Sequence, residues 1–266
     1  MRIIACLKSP IFGVPVTKTA INLAKKTKSK LTFLHVIDTR PPSSGTIFVK
    51  LPTSLTEHLR KKGEEILRNA KQTAEEEGIE VDSIIMEGSP HDTILTMLKH
   101  ADLLLIRTRV FSPEKKLGDI TEKVIEKATT PVMLIEKEQT VFEKYLVPID
   151  GYEHSKRALK FIAENPELAP KHIIILHIAD SKEKEEIGRK YLQEAAEVVE
   201  KLGIKIETTI KIGKDIPKNI LQHCAEENVN IIVMGMTGKK AVHRFFLGSV
   251  SRGVCAESRI PVILVP

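Results

Sequence analysis

Two short stretches of this chain carry residue types suited to holding an anion. One is Asp150-Gly151, which closes the apolar run Tyr145-Leu146-Val147-Pro148-Ile149. The other is Met234-Gly235-Met236-Thr237-Gly238, followed after nine residues by Gly248-Ser249-Val250-Ser251. Glycines lack a Cβ, so backbone N–H groups beside them can approach a phosphate or a ribose closely. A helix opening at Gly248-Ser249 offers free N–H groups to an anion, helped by the Ser249 and Ser251 hydroxyls. A carboxylate such as Asp150 accepts hydrogen bonds from a ribose or an amine. Taken singly, each piece is ordinary turn or cap chemistry. Their combination is what points to a ligand.

The elements that position these residues repeat. Thr32-Phe33-Leu34-His35-Val36-Ile37-Asp38 returns as Ile174-Ile175-Leu176-His177-Ile178-Ala179-Asp180. Leu117-Gly118-Asp119-Ile120-Thr121 returns as Leu247-Gly248-Ser249-Val250-Ser251, and Pro131-Val132-Met133-Leu134-Ile135 as Pro261-Val262-Ile263-Leu264-Val265. Order is kept, so the chain reads as a duplication, with domains expected over 1–138 and 142–266. The joint is Glu136-Lys137-Glu138-Gln139-Thr140. Each copy alternates short apolar runs with longer amphipathic segments. In the first copy the runs are 3–7, 31–37, 81–86, 103–106 and 132–135; in the second, 145–149, 173–178, 204–210, 231–234 and 262–265. Such runs suit strands buried on both faces. Helical patterns between them imply right-handed crossovers and a parallel sheet covered on both sides. One helix is expected near Glu153, another over Glu183–Leu202 up to Gly203, a third after Asp215 and a fourth from Gly248-Ser249. The first copy carries an insertion, Pro41 to Pro52, whose apolar centre Ile47-Phe48-Val49 is expected to fold back over the domain.

Composition excludes several classes. Apolar residues at 42% and charged residues at 29% describe a globular chain. With 4% aromatics and no Trp, it makes a poor stacking platform for single-stranded nucleic acid. The net charge of +6 is spread over both halves and reads as a solvated Lys/Glu surface. No apolar run approaches the roughly 20 residues of a membrane span. Met1 to Lys8 mimics a short signal core but reads as a first strand, because Lys8 interrupts it and no cleavage site follows. Cys6, Cys224 and Cys255 lie singly in apolar patterns, as buried thiols of a reducing, cytoplasmic protein.

The spacing Gly235-x2-Gly238-x9-Gly248-Ser249, with Pro148-Ile149-Asp150-Gly151, Leu176-His177-Ile178 and Pro261 to Val265, resembles the nucleotide-binding pattern of the universal stress protein family. The resemblance covers nearly the whole chain as a tandem pair. It implies two tandem five-stranded parallel sheets of order 3-2-1-4-5 with helices on both faces, an α/β fold like the adenine nucleotide alpha hydrolases. The strand order then reverses between the first and fourth strands, where ligands of open sheets bind. The resemblance further implies ATP, with Mg or Mn on its phosphates. Pro148, Ile149, Ile178 and Met234 would line the base pocket, and Asp150 would bind the ribose or adenine side. Gly235 and Gly238 would admit the ribose and phosphates, while Gly248, Ser249, Val250 and Ser251 grip the phosphate tail. Lys239, Lys240, His243 and Arg244 occupy the variable loop, near the phosphates or merely solvated. Because His177 has a counterpart in His35, it reads as a structural strand residue. Family members pair through their last strands; here 132–135 is expected to pair with 262–265 inside one chain, which leaves a homodimer open.

The first copy departs from this pattern. Lys8-Ser9 stand at Asp150-Gly151, and Arg107-Thr108-Arg109-Val110-Phe111 holds no glycine. Asp119 replaces Ser249, and a carboxylate there would repel a phosphate by about 1 to 4 kcal/mol. Arg107, Arg109 and Lys8 are expected to pair with Asp119 and fill the vacancy, so this copy should not bind ATP in the family manner. The reading favours a regulatory binding protein over an enzyme. Loops of the second copy offer no paired carboxylates, no Cys/His metal cluster and no Walker pattern, and Asp150 alone is a poor general base. An enzyme using the same site for slow ATP hydrolysis or nucleotide modification, and an interaction module without ligand, are the rivals.

Overall fold

The computed structural model describes residues 1–40, 52–109, 117–236 and 247–266. The insertion from Pro41 and its Ile47-Phe48-Val49 centre therefore fall outside the described residues, as do Gly238, Lys239, Lys240, His243 and Arg244. The first half contains β1 (Arg2–Cys6), α1 (Pro10–Thr27), β2 (Lys30–Asp38), α2 (Thr53–Glu76), β3 (Asp82–Gly88), α3 (Pro90–Met97), β4 (Leu103–Arg107), α4 (Asp119–Lys127) and β5 (Val132–Ile135). The second contains β6 (Lys144–Ile149), α5 (Glu153–Glu164), β7 (His172–Ala179), α6 (Glu185–Val199), β8 (Lys205–Ile212), α7 (Ile216–Glu226), β9 (Ile231–Gly235), α8 (Ser249–Glu257) and β10 (Val262–Val265).

Within each half the strands run parallel in the expected order. The two tandem five-stranded sheets are present, and they join edge to edge into one ten-stranded sheet, β3-β2-β1-β4-β5-β10-β9-β6-β7-β8. β5 and β10 make the only antiparallel ladder among the described strands, pairing Val262 with Leu134, Ile263 with Met133 and Leu264 with Val132. A bare edge leaves a row of donors and acceptors unpaired. Fusing β5 to β10 removes one edge from each half, and β3 and β8 remain as the outer edges. The pairing inside one chain that the family resemblance implies is thus present, and it is what merges the two sheets.

Side chains alternate across this sheet, giving one core per face. Ile3, Ala5, Leu103, Met133, Val147 and Ile263 pack under α1, α2, α5 and α6. Ile4, Leu104, Leu134, Leu146, Ile232 and Val262 pack under α3, α4, α7 and α8. Both layers run unbroken across the β5–β10 seam. The joint is docked as well: Gln139 donates its backbone N–H to the Thr19 hydroxyl oxygen at 2.9 Å and its side-chain amide to the Asn230 carbonyl at 2.6 Å. Local signals act where expected. Asp215 accepts the Lys218 N–H as N-cap of α7, and Gly203 at φ 63° ends the α6 segment in a left-handed turn.

Candidate functional site

The strand order reverses between β1 and β4 and again between β6 and β9, and the notch differs in depth. The β1–β4 ladder runs from Ile3↔Leu103 through Ala5↔Leu105. The β6–β9 ladder stops one pair sooner, at Leu146↔Ile232. Pro148 explains the difference. Backbone N–H groups of a strand point alternately to either side. Leu7 donates to the Leu34 carbonyl of β2, so the N–H of position 6 faces β4. Pro148 occupies the matching position and has no N–H to give. The second notch therefore opens deeper.

Asp150 lies half-buried at the first lip. Its carboxylate accepts the Tyr152 N–H at 3.1 Å, and its own N–H donates to the Ser155 hydroxyl at 3.3 Å. Ser155 in turn donates to the Tyr152 carbonyl at 2.8 Å, which pins the start of α5. Gly151 has φ +83°, and a Cβ there would stand 2.4 Å from the Tyr191 ring. Only glycine serves both demands. Tyr191 meets His177 edge-on, with ring centroids 5.6 Å apart. His177 donates from Nδ1 to the Ile149 carbonyl at 3.0 Å, and Gly188 leaves room for its ring. The first half repeats this lock, with His35 donating to the Leu7 carbonyl at 2.8 Å beside Gly63. Because the lock exists in both halves, it belongs to the fold. The structural reading of His177 rests on that.

The second lip begins at Gly235, where a Cβ would sit 2.4 Å from the His154 carbonyl oxygen. This glycine lets the first turn of α5 press onto the end of β9. Met236 N–H bonds to Val265 O, and Gly248 N–H returns to Met236 O at 2.8 Å, closing the base of the intervening loop. Ser251 is buried, and its hydroxyl donates to the Gly235 carbonyl at 2.8 Å. Thr121 does the same for Arg107 in the first half, and Gly118 N–H bonds to Thr108 O. The Ser251 hydroxyl is therefore committed to the fold. Ile149 and Met234 are buried, Pro148, Ile178 and Val250 half-buried, and Ser249 exposed.

The two helix starts differ in charge. Gly248, as N-cap of α8, gives no side-chain acceptor, and the first turn holds no acid. Gly118 caps α4 likewise, but Asp119 and Glu122 stand in its first turn. Carboxylates there satisfy the positive helix end that α8 leaves open. The expected pairing of Arg107 and Arg109 with Asp119 is not what the described residues show. Arg109 instead faces Glu136 at 3.4 Å and donates to the Ala256 carbonyl of α8 at 2.9 Å. The edge fusion brings α8 within reach, and a helix-end carbonyl offers a better-fixed acceptor than the exposed Asp119.

No group of three or more His, Cys, Asp or Glu suited to a metal occurs among the described residues. Burial pushes the Cys6 and Cys224 thiols up to about 12 and raises Cys255 too. They stay protonated and are not nucleophiles. Among the described residues no helix is long and apolar enough to cross a membrane. Sequence reasoning missed Tyr152, Ser155 and Tyr191. Tyr191 had a signal: Ile66 stands at its place in α2, in step with Ser9 at the place of Gly151.

Fold and site define a tandem open-sheet α/β protein with a switch point in each half, where the ladder of the second half ends one pair sooner. The chain belongs to the universal stress protein family, whose model matches residues 1–136 and again 142–266. It is 23% identical over 287 residues to universal stress protein Slr1230 of Synechocystis, covering 98% of each chain. It is 32% identical over 134 residues to universal stress protein MJ0531 of Methanocaldococcus jannaschii, across 47% of this chain and 75% of that one. A universal stress protein crystal structure from Archaeoglobus fulgidus superposes with a TM-score of 0.76 at 24% identity, covering 98% of this chain and 97% of the other.

Proposed function

We propose that the second half binds one adenine nucleotide, ATP, and that the protein acts as a regulatory, stress-response binding protein. The observation that carries this reading is the contrast between the two switch points. The second has a carboxylate on one lip and an acid-free helix start on the other; the first has Lys8 and Asp119 at the aligned places. Asp150 takes the ribose or adenine side, and Pro148, Ile149, Ile178 and Met234 enclose the base. Gly235 and Gly238 line the path of the ribose and phosphates. The backbone N–H groups of Ser249, Val250 and Ser251 hold the phosphate tail beside Gly248, whose own N–H is taken by the Met236 carbonyl, and the Ser249 hydroxyl assists. A Mg or Mn ion rides on the phosphates rather than in a protein cage.

A binding role fits better than hydrolysis. Asp150 already takes the Tyr152 N–H, and among the described residues no second carboxylate is positioned beside it to activate water. Equilibrium dialysis of the full chain with labelled ATP tests the reading. One nucleotide per chain is expected, falling to none in Asp150→Ala. Retention of one per chain in that variant, or no uptake by the wild type at millimolar ATP, overturns it. Mass spectrometry of gently purified protein, read for co-purified nucleotide, gives an independent check. The two halves form a pseudo-dimer through β5 and β10, and association of two chains is measured by analytical ultracentrifugation.

A further inference from the structure

We infer that the first half works as a clamp on α8 of the second, and that its Arg109 is a positioning residue for phosphate binding there. The inference rests on the reading of the α8 start as the phosphate grip. A helix leaves its last carbonyls without intrahelical partners. In α8, the Ala256 carbonyl near that end takes the Arg109 guanidinium from the opposite half, at 2.9 Å. The cation also sits at the negative end of the helix dipole, where it is stabilising. Arg109 is itself held by Glu136 at 3.4 Å, with both side chains only about one-fifth exposed (21% and 20%), so solvent screens the pair weakly.

A second grip lies midway along the same helix. Arg252 pairs with Glu122 and Glu126 of α4. Positions 252 and 122 are equivalent in the repeat, so two identical halves would set like charges against each other across the seam. Here the charges are opposite. The first half thus holds α8 at its middle and its end, leaving the start to a ligand. The grip is one-sided in sequence, since Thr237, without a cation, aligns with Arg109. A nine-residue helix is about 13 Å long. Fixing its far end keeps the first-turn N–H groups aimed, and the guanidinium neutralises the opposite pole.

The test uses the full chain with ATP and with adenosine, which lacks phosphates, in titration calorimetry. Removing Arg109 alone would strand Glu136, one of whose carboxylate oxygens has no hydrogen-bond partner among the described residues. The double variant Arg109→Met, Glu136→Gln removes the pair together, and Arg109→Lys restores a cation. The double variant should weaken ATP binding about three- to tenfold, the range of a helix-end charge, and leave adenosine unchanged. Arg109→Lys should recover most of the loss. An equal loss for both ligands, or no loss for either, overturns the clamp, as does failure of Arg109→Lys to recover. Hydrogen exchange on the unliganded chain separates this from the nucleotide reading. Faster exchange in the last turn of α8 in the double variant is expected whether or not ATP binds, and unchanged exchange refutes the clamp. Wild-type protein that binds neither ligand removes the nucleotide reading instead.

Discussion

The two halves share a skeleton and differ at the mouth of the notch, so each serves as a control for the other. Both keep a strand histidine donating to the carbonyl ahead of the notch, a glycine under its ring, and a hydroxyl pinning the end of the fourth strand. Features present in both halves serve the fold, since one half has lost the nucleotide pattern. The differences fall elsewhere: Cys6 against Pro148, Lys8-Ser9 against Asp150-Gly151, Arg107 against Gly235, Asp119 against Ser249, and Ile66 against Tyr191. They cluster on the two lips. Gly235 sits in both categories, confined to one half yet required by the His154 carbonyl.

The harshest way to break the comparison is therefore Gly235→Val. Its Cβ would lie 2.4 Å from a backbone oxygen, which a helix start cannot yield cheaply. A loss of about 3 kcal/mol and of nucleotide uptake is expected in thermal melts and dialysis. The converse change, Arg107→Gly, should create no binding in the first half; uptake of a second nucleotide would contradict the assignment of the lips.

Next in size is the shared lock. Gly63→Ala and Gly188→Ala each place a Cβ 2.6 Å from a histidine ring carbon. Both should lose about 1 to 3 kcal/mol by overpacking, and by similar amounts. A clear loss in one half with none in the other, by denaturant titration, would show that the lock is not common to both.

A smaller and sharper test copies the first half into the second. Pro148→Cys returns an N–H to β6, allowing Val147 to pair with Val233 and the notch to narrow. Stability should rise by about 0.5 to 1 kcal/mol, the net value of one hydrogen bond, while ATP affinity drops. An unchanged affinity would mean that notch depth does not matter to the ligand.

Much of this was legible in the sequence. Short apolar runs rich in β-branched residues, alternating with longer amphipathic segments, suit strands buried on both faces, so all ten strand positions were readable to within a residue or two. Val132–Ile135 and Val262–Val265 are wholly apolar edges, and their pairing followed from the family resemblance applied to a duplicated chain. What stayed hidden was relational. The register of the seam, Val262 against Leu134 and Leu264 against Val132, is one such relation, which no local pattern carries. The partners of Arg109 were misjudged because Asp119 is near in sequence, whereas Ala256 is near only after the halves join. Tyr191 was overlooked because an aromatic residue on an amphipathic helix ordinarily reads as core. Gly235 looked like a ligand residue, and its contact with the His154 carbonyl appears only in three dimensions.

The smallest effect tests whether the lock carries a pH signature. Burial holds His35 below its ordinary pKa, against the raising influence of its bond to the Leu7 carbonyl. The unfolded chain, with an ordinary imidazole near 6.5, then binds the proton more readily than the folded one. Stability from this group is complete above that pH and drains away as the pH falls. His172 is depressed as well, by burial first and then by Lys205 and Lys144, so the whole chain should melt lower from pH 7 toward pH 5. His35→Asn should flatten that slope, by at most about 1.4 kcal/mol per pH unit for one proton. An identical slope in the variant would mean that His35 does not titrate with unfolding. The shared lock would then be a matter of packing and one hydrogen bond alone.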